Sequence, residues 1–304
     1  MTTRREQAAL LALTEASPRP WHEVSELVED VGSAVAIAEG TATVAGAPEQ
    51  ELLRTLSERT TPEMVSRWND VLDGLIDRIP RINLLTVLDE SYPINLRKVY
   101  NRPPFLFVRG HLVEDDARSV AVVGTRQASP EGVRRAHELA VALASRGVTV
   151  MSGLATGIDT AAHTGAIGGG GRTVAVMGTG IDRIYPKANE DLAEHIAKHG
   201  ALVSQFWPGS PPRASNFPRR NVVTSGIAVG TVVIEASSTS GAKMQARLAL
   251  EHGKRLLLMD DLVMHEEWAQ RYAQRRGAIV VSSVDDVLAV LDTERDVPTA
   301  LRLF

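Results

Sequence analysis

Four short segments of the chain combine glycines with hydroxyl side chains as an anion site does: residues 124–132 (GTRQASPEG), 152–159 (SGLATGID), 178–182 (GTGID) and 237–243 (SSTSGAK). Each follows a short apolar run, so each reads as a turn from a strand into a helix. Glycine lets the backbone turn tightly and approach a ligand. A hydroxyl supplies a hydrogen bond, and the helix that follows offers unpaired N–H groups carrying a partial positive charge. One such turn is ordinary turn chemistry, whereas four converging on one edge of a sheet form a crevice suited to phosphate. Arg126 and Lys187 stand where a cation could reach the same anion. The alternative for each is an exposed ion pair with Glu131 or Asp182, worth little in water.

Known nucleotide motifs narrow the choice of anion. The pattern G-x-x-x-x-G-K-[ST] is absent. The dinucleotide fingerprint fails too, because Arg126 stands where its second glycine belongs and the next apolar run ends at Ser152 without an acidic residue. Nicotinamide and flavin chemistry are disfavoured. Residues 207–221 (WPGSPPRASNFPRRN) carry Arg213, Arg219 and Arg220 with two aromatics and no acidic residue. Arginines that track phosphates beside rings that stack on bases suit a single nucleic-acid strand. The competing reading is a proline-rich surface loop that Trp207 and Phe217 pin to the core.

Catalytic candidates are thinner. Asp159 and His163 lie four apart and could form an acid–base pair or half a metal site, but a helix cap plus a structural hydrogen bond is the simpler reading. His195 and His199, beside Asp191 and Glu194, read as a solvated helix face rather than a zinc site. Glu235, at the end of an apolar run, is the best single carboxylate for a nucleotide hydrolase. No catalytic set, metal site or cofactor is expected.

The elements that must position these residues follow from periodicity. Nine apolar runs, at 84–88, 105–108, 120–123, 148–151, 174–177, 202–203, 232–234, 256–259 and 279–281, are mostly separated by one helix length. Runs apolar throughout suit strands buried on both faces, which predicts a mostly parallel α/β sheet covered by helices. Residues 1 to about 85 read instead as short amphipathic helices near 8–14, 21–28, 48–57 and 62–78, with turns at 30–33 and 46–48. Residues 89–109 read as an irregular lead-in to the sheet, and residues 168–171 as a flexible loop at a helix end. The expected division is a helical domain over 1–83, a Rossmann-like domain over 84–293 and a tail over 294–304.

The 304 residues are 44% hydrophobic and 23% charged, with formal net charge −4. Ordinary globular composition follows, and any contact with nucleic acid must be local rather than a property of the whole molecule. There is no cysteine, which excludes disulfide scaffolds and thiol chemistry. The apolar stretch near the N-terminus is too short for a signal peptide, and no run approaches a membrane span, so a soluble cytoplasmic protein is expected.

Taken together, residues 122–126 (VVGTR) with Ser129 and Gly132, 152–159 with Ala162 and His163, Gly178 and 180–182 (GID) with Tyr185, Pro186 and Asn189, Phe217 and Pro218 with Arg220 and Asn221, 233–236 (VIEA), and Ser240 with Gly241 resemble the DNA-processing protein A (DprA, or Smf) family in order and spacing. The resemblance runs from about residue 84 to 258, and the helical segment is similar to the family's sterile-alpha-motif-like (SAM-like) domain. It implies an extended Rossmann domain that binds single-stranded DNA, forms homodimers, and loads a RecA-type recombinase onto incoming strands in natural transformation, without catalysis. It places Arg126, Lys187 and Arg220 at DNA phosphates, and Ser152, Gly153 and Asn221 in the neighbouring pocket. Gly124, Thr125, Thr156, Phe217, Arg219, Ser240, Gly241 and Lys243 complete the expected DNA-binding set. Val222, the stretch 242–246 (AKMQA) and the acidic stretch 260–268 (DDLVMHEEW) depart from the family's pattern. Two alternatives stay open: a nucleotide-sensing or nucleotide-hydrolysing Rossmann protein, and a DprA-like paralogue in phage defence.

Overall fold

The computed structural model describes residues 2–293; the expected tail at 294–304 lies outside the described residues. Five helices come first: α1 (Arg4–Ala16), α2 (Trp21–Val31), α3 (Ala34–Ala38), α4 (Ala47–Arg59) and α5 (Pro62–Arg78). The alternating part follows as β1 (Ile82–Thr86), α6 (Ile94–Arg97), β2 (Phe105–Gly110), β3 (Ser119–Val123), α7 (Pro130–Ser145), β4 (Thr149–Ser152), α8 (Ile158–Gly168) and β5 (Thr173–Val176). It continues through α9 (Glu190–His199), β6 (Ala201–Ser204), α10 (Asn216–Ile227), β7 (Gly230–Val233) and α11 (Gly241–Glu251). The last described elements are β8 (Arg255–Met259), α12 (Asp260–His265), α13 (Glu267–Ala273), β9 (Ala278–Val281) and α14 (Val284–Thr293).

The nine strands among the described residues form one sheet in the order β1-β2-β6-β5-β4-β3-β7-β8-β9. From β6 to β9 every neighbouring pair is parallel, as apolar runs alternating with helices predict. At the other end β1 with β2, and β2 with β6, run antiparallel. The lead-in at 89–109 is therefore more ordered than expected, because it holds α6 and most of β2. β3 through β7 are buried along their length. Buried side chains of α1 to α5 belong to the same hydrophobic cluster as those of the sheet.

Strand order sets where a ligand can sit. From β3 the chain steps one way through β4, β5 and β6, then returns to the far side of β3 for β7, β8 and β9. Right-handed crossovers running in opposite directions put α7 and α8 on one face and α10 and α11 on the other. The crevice beside β3, outside the carboxyl ends of the strands, is the switch point where such sheets hold ligands.

Local chemistry explains the helix boundaries. Thr3, Ser33, Thr61, Ser129 and Ser240 each accept a backbone N–H with the side-chain oxygen at a helix start. The turn expected at 30–33 proves to be a joint: Gly32, at φ +77°, ends α2, and Ser33 opens the short α3. The glycine run at 168–171 is a packed turn, because a Cβ at Gly171 would overlap Ala144 of α7.

Candidate nucleic-acid interface

A cleft of about 430 Å³ opens at the carboxyl edge, walled by the turns after β3, β4 and β7 and by the first turns of α10 and α11. Close backbone approach builds it. The Thr125 N–H donates to the Glu235 carbonyl (2.7 Å), and the Ile158 N–H donates to the Thr125 carbonyl (3.3 Å). Gly157, at φ +77°, makes the second approach possible, since a Cβ there would come 2.5 Å from the Thr125 carbonyl oxygen.

Asp159 and Arg220 form the floor. Asp159, 6% exposed, accepts from the N–H groups of Gly153 (3.1 Å) and Ala155 (3.2 Å) and so shapes the second turn. Burial raises its pKa, and the nearby Arg220 charge opposes the rise. Arg220, 7% exposed, donates through Nη1 to the carbonyls of Gly153 (2.6 Å) and Val176 (2.7 Å) and through Nε to Asn221 Oδ1 (3.1 Å). Asn221 in turn donates to the Gly241 carbonyl (3.4 Å) at the start of α11. Arg220 is thus first a brace that ties the ends of β4 and β5 to α11. Its Nη2 makes no hydrogen bond among the described residues, and Arg220 still lines the cleft.

At the mouth, the exposed Arg126 guanidinium lies 4.6 Å from the centroid of the Phe217 ring. The Tyr185 ring, 44% exposed, sits 6.3 Å beyond Phe217. Gly178 leaves room for Phe217, since a Cβ there would come 2.9 Å from its ring.

The sequence-predicted set divides. Gly124, Thr125, Arg126, Gly153, Phe217, Arg220, Asn221, Ser240 and Gly241 line the cleft. Thr156 stands at the rim, donating to the Arg126 carbonyl (3.3 Å), and Lys187 is exposed two residues past Tyr185. Ser152 turns inward and donates to the Val122 carbonyl (2.7 Å), which fastens β4 to β3. Lys243 folds back onto the Ser238 carbonyl (3.3 Å). Arg219 leaves the cleft altogether: one position from Arg220 on α10, its guanidinium lies 4.4 Å from the Trp21 ring and 5.5 Å from the Phe206 ring. Thr224, Gln127 and Gln245, none of them in the expected set, also line the cleft. Thr224 follows Arg220 by four and Gln245 follows Gly241 by four, so helical spacing was the available signal.

The catalytic candidates have other duties. His163 is fully buried, with Nδ1 2.7 Å from Thr173 Oγ1. Burial, reinforced by the Arg220 charge, lowers its pKa to about 3, so it is neutral and makes no ion pair with Asp159. Glu235 accepts from the Ser129 N–H (3.1 Å) and hydroxyl (2.7 Å) at the start of α7. The His195 and His199 rings stack 4.6 Å apart. Among the described residues no group of three histidine, aspartate or glutamate side chains could hold a metal.

A second cleft, of about 460 Å³, lies across the 124–129 turn and shares Thr125, Gln127 and Ser237 with the first. Its walls bring Glu131, Glu235, Asp261 and Glu266 together, with Arg135 paired to both Glu131 and Asp261.

The family model for DNA recombination-mediator protein A matches residues 83–292. DNA processing protein DprA of Streptococcus pneumoniae is 36% identical over 206 residues, 67% of this chain and 72% of that protein. Protein Smf of Escherichia coli is 37% identical over 211 residues, covering 69% of this chain but only 56% of Smf. The X-ray structure of the S. pneumoniae DprA superposes with a TM-score of 0.72 at 29% identity, over 95% of this chain and 98% of that one. A DprA structure from Helicobacter pylori, described for its single-stranded DNA binding mode, shares the fold with a TM-score of 0.63 at 23% identity, over 71% of this chain and 98% of that one.

Proposed function

The chain belongs to the DNA recombination-mediator protein A family, and from that premise we propose that it binds single-stranded DNA in the carboxyl-edge cleft and acts by binding, not by catalysis. The observation that carries the reading is the Arg126 guanidinium over Phe217 at the cleft mouth. A phosphate can take the cation while a base takes the ring, in a cleft whose remaining walls are hydroxyls, amides and the start of α11. Arg126, Lys187 and the free edge of Arg220 neutralise phosphates in this reading, and Gly124, Thr125, Gly153, Asn221, Ser240 and Gly241 supply close backbone approach and polar contacts. The commitment of Asp159, His163 and Glu235 to structural partners supports the absence of an acid–base step.

We place the protein in the cytoplasm as a homodimer that passes bound strands to a RecA-type recombinase, the role that the family resemblance implies. Residues 1–83 are read as the SAM-like domain and 84–293 as the recombination domain, in keeping with the span of the family match. Among the described residues no helix is long and apolar enough to cross a membrane.

Fluorescence anisotropy of labelled oligo-dT and of duplex DNA over a salt series tests the reading. With about four phosphates neutralised on a single strand, log affinity falls with log salt at a slope of about −3. The expected result is preference for the single strand, lost in Arg126→Ala/Lys187→Ala. No binding at low salt, with thermal stabilisation by a free mononucleotide, would instead assign the cleft to nucleotide sensing.

A further inference from the structure

The cleft does not account for the whole basic surface beside it. The turn after β5 and the segment before α10 are locked into one ridge. The Gly180 N–H donates to the Ser210 carbonyl (3.0 Å), and the Gly209 N–H donates to Asp182 Oδ1 (2.7 Å). Asn216 Nδ2 donates to the carbonyls of Gly178 (3.1 Å) and Pro211 (3.3 Å). This ridge carries Arg183, Lys187 and Arg213, all exposed and none in an ion pair among the described residues. Several other exposed arginines are answered by carboxylates, as Arg134 is by Glu131 and Glu138, and Arg247 by Glu251. Tyr185 belongs to the same ridge, two residues from both Arg183 and Lys187, and its half-exposed ring lies 6.3 Å from that of Phe217 at the cleft mouth. On the opposite side of the 124–129 turn the chain meets the carboxylates of the second cleft, which repel phosphate.

We propose that a bound strand leaves the cleft in one direction only, stacking a base on Tyr185 and running its phosphates along Lys187, Arg183 and Arg213. This rests on the single-strand reading of the cleft and extends it: Tyr185, Arg183 and Arg213 form a second, length-dependent part of the site. Because the two segments are hydrogen-bonded to each other before any ligand arrives, the basic side chains project from a prearranged backbone, and little ordering accompanies binding.

The test compares oligo-dT of about 4 and about 16 nucleotides, which bracket common single-strand site sizes. Wild type is expected to bind the longer oligomer more tightly, with a steeper salt slope. Arg183→Ala/Arg213→Ala should make that slope shallower by about 1.4, the contribution of two phosphates, and leave the short oligomer unchanged. Tyr185→Ala should weaken the long oligomer by about fivefold or more, the lower limit for one lost stack, while Tyr185→Phe binds as wild type. Unchanged slopes and affinities in these variants, with wild-type binding intact, would overturn the ridge and leave the cleft standing. Failure of wild type to bind either oligomer would overturn the single-strand reading and the ridge with it.

Discussion

The two clefts flanking the 124–129 turn are nearly equal in volume, about 430 and 460 Å³, and share three wall residues. Both lie at the carboxyl edge among glycines, serines and threonines, yet one is floored by an arginine and the other is walled by carboxylates. Beside Arg126 at the first cleft and Glu131 and Glu235 at the second, the helix on each far side adds to the difference. α10 sends Arg220 and Asn221 into the first, whereas α12 and the residue after it bring Asp261 and Glu266 to the second. Glycine and hydroxyl turns build a cavity that any polar ligand could enter, and the charged side chains that packing brings to its walls choose the sign of its charge.

Removing the space for Arg220 should break this contrast most severely. A Cβ at Gly153 would overlap the guanidinium, so Gly153→Val should lower single-strand affinity on the order of 100-fold and cost about 1–3 kcal/mol of stability. Anisotropy paired with a thermal melt measures both, and near-normal affinity would mean that Arg220 braces the cleft without serving its ligand.

Acid should test the packing behind the basic cleft next. α8 begins at the wall of the basic cleft and carries His163, which the native state keeps neutral down to about pH 3. The unfolded chain takes up that proton near pH 6.5, so stability present above 6.5 is lost as the pH falls toward 3, at up to about 1.4 kcal/mol per pH unit. His252, lowered to about 4 chiefly by burial, adds to the same trend. Denaturant titrations should show stability declining from pH 6.5 to 4.5, and a flat profile would contradict the neutral imidazole buried at His163.

Smaller effects probe the acidic side. Glu235→Gln weakens the charge-assisted bonds to Ser129 and should cost about 1 kcal/mol while leaving oligo-dT affinity within about twofold. A large loss of DNA binding there would make the two clefts one site. Smallest is Arg219→Ala, which removes contacts with Trp21 and Phe206 worth about 0.5–1 kcal/mol. Its affinity should stay near wild type although its neighbour Arg220 floors the cleft, and a loss matching that of Arg126→Ala would return Arg219 to the interface.

Much of the fold was legible. Runs such as 120–123 and 232–234 are apolar at every position, which suits strands buried on both faces, and they fall in β3 and at the end of β7. The antiparallel arm of β1 and β2 was not legible, because Phe105 to Val108 looks as apolar as any parallel strand and direction is set by chain connection rather than composition. In the site, the turns at 124–129 and 237–240 were readable from glycine and hydroxyl content. The parting of Arg219 from Arg220 was not, since adjacent helical residues differ by about 100° in direction and only the packed neighbours decide which faces a ligand.

Sequence alone determined that this chain forms a helix-covered sheet with phosphate-suited turns on one edge, because strand periodicity and turn chemistry are local properties. The tertiary structure decided which of those turns meet, that Arg220 and Asp159 are buried braces, and that one cleft is basic and its neighbour acidic. Those outcomes depend on strand order and on side chains far apart in the chain, whose charges take their effect from burial and from the partners that packing brings within reach.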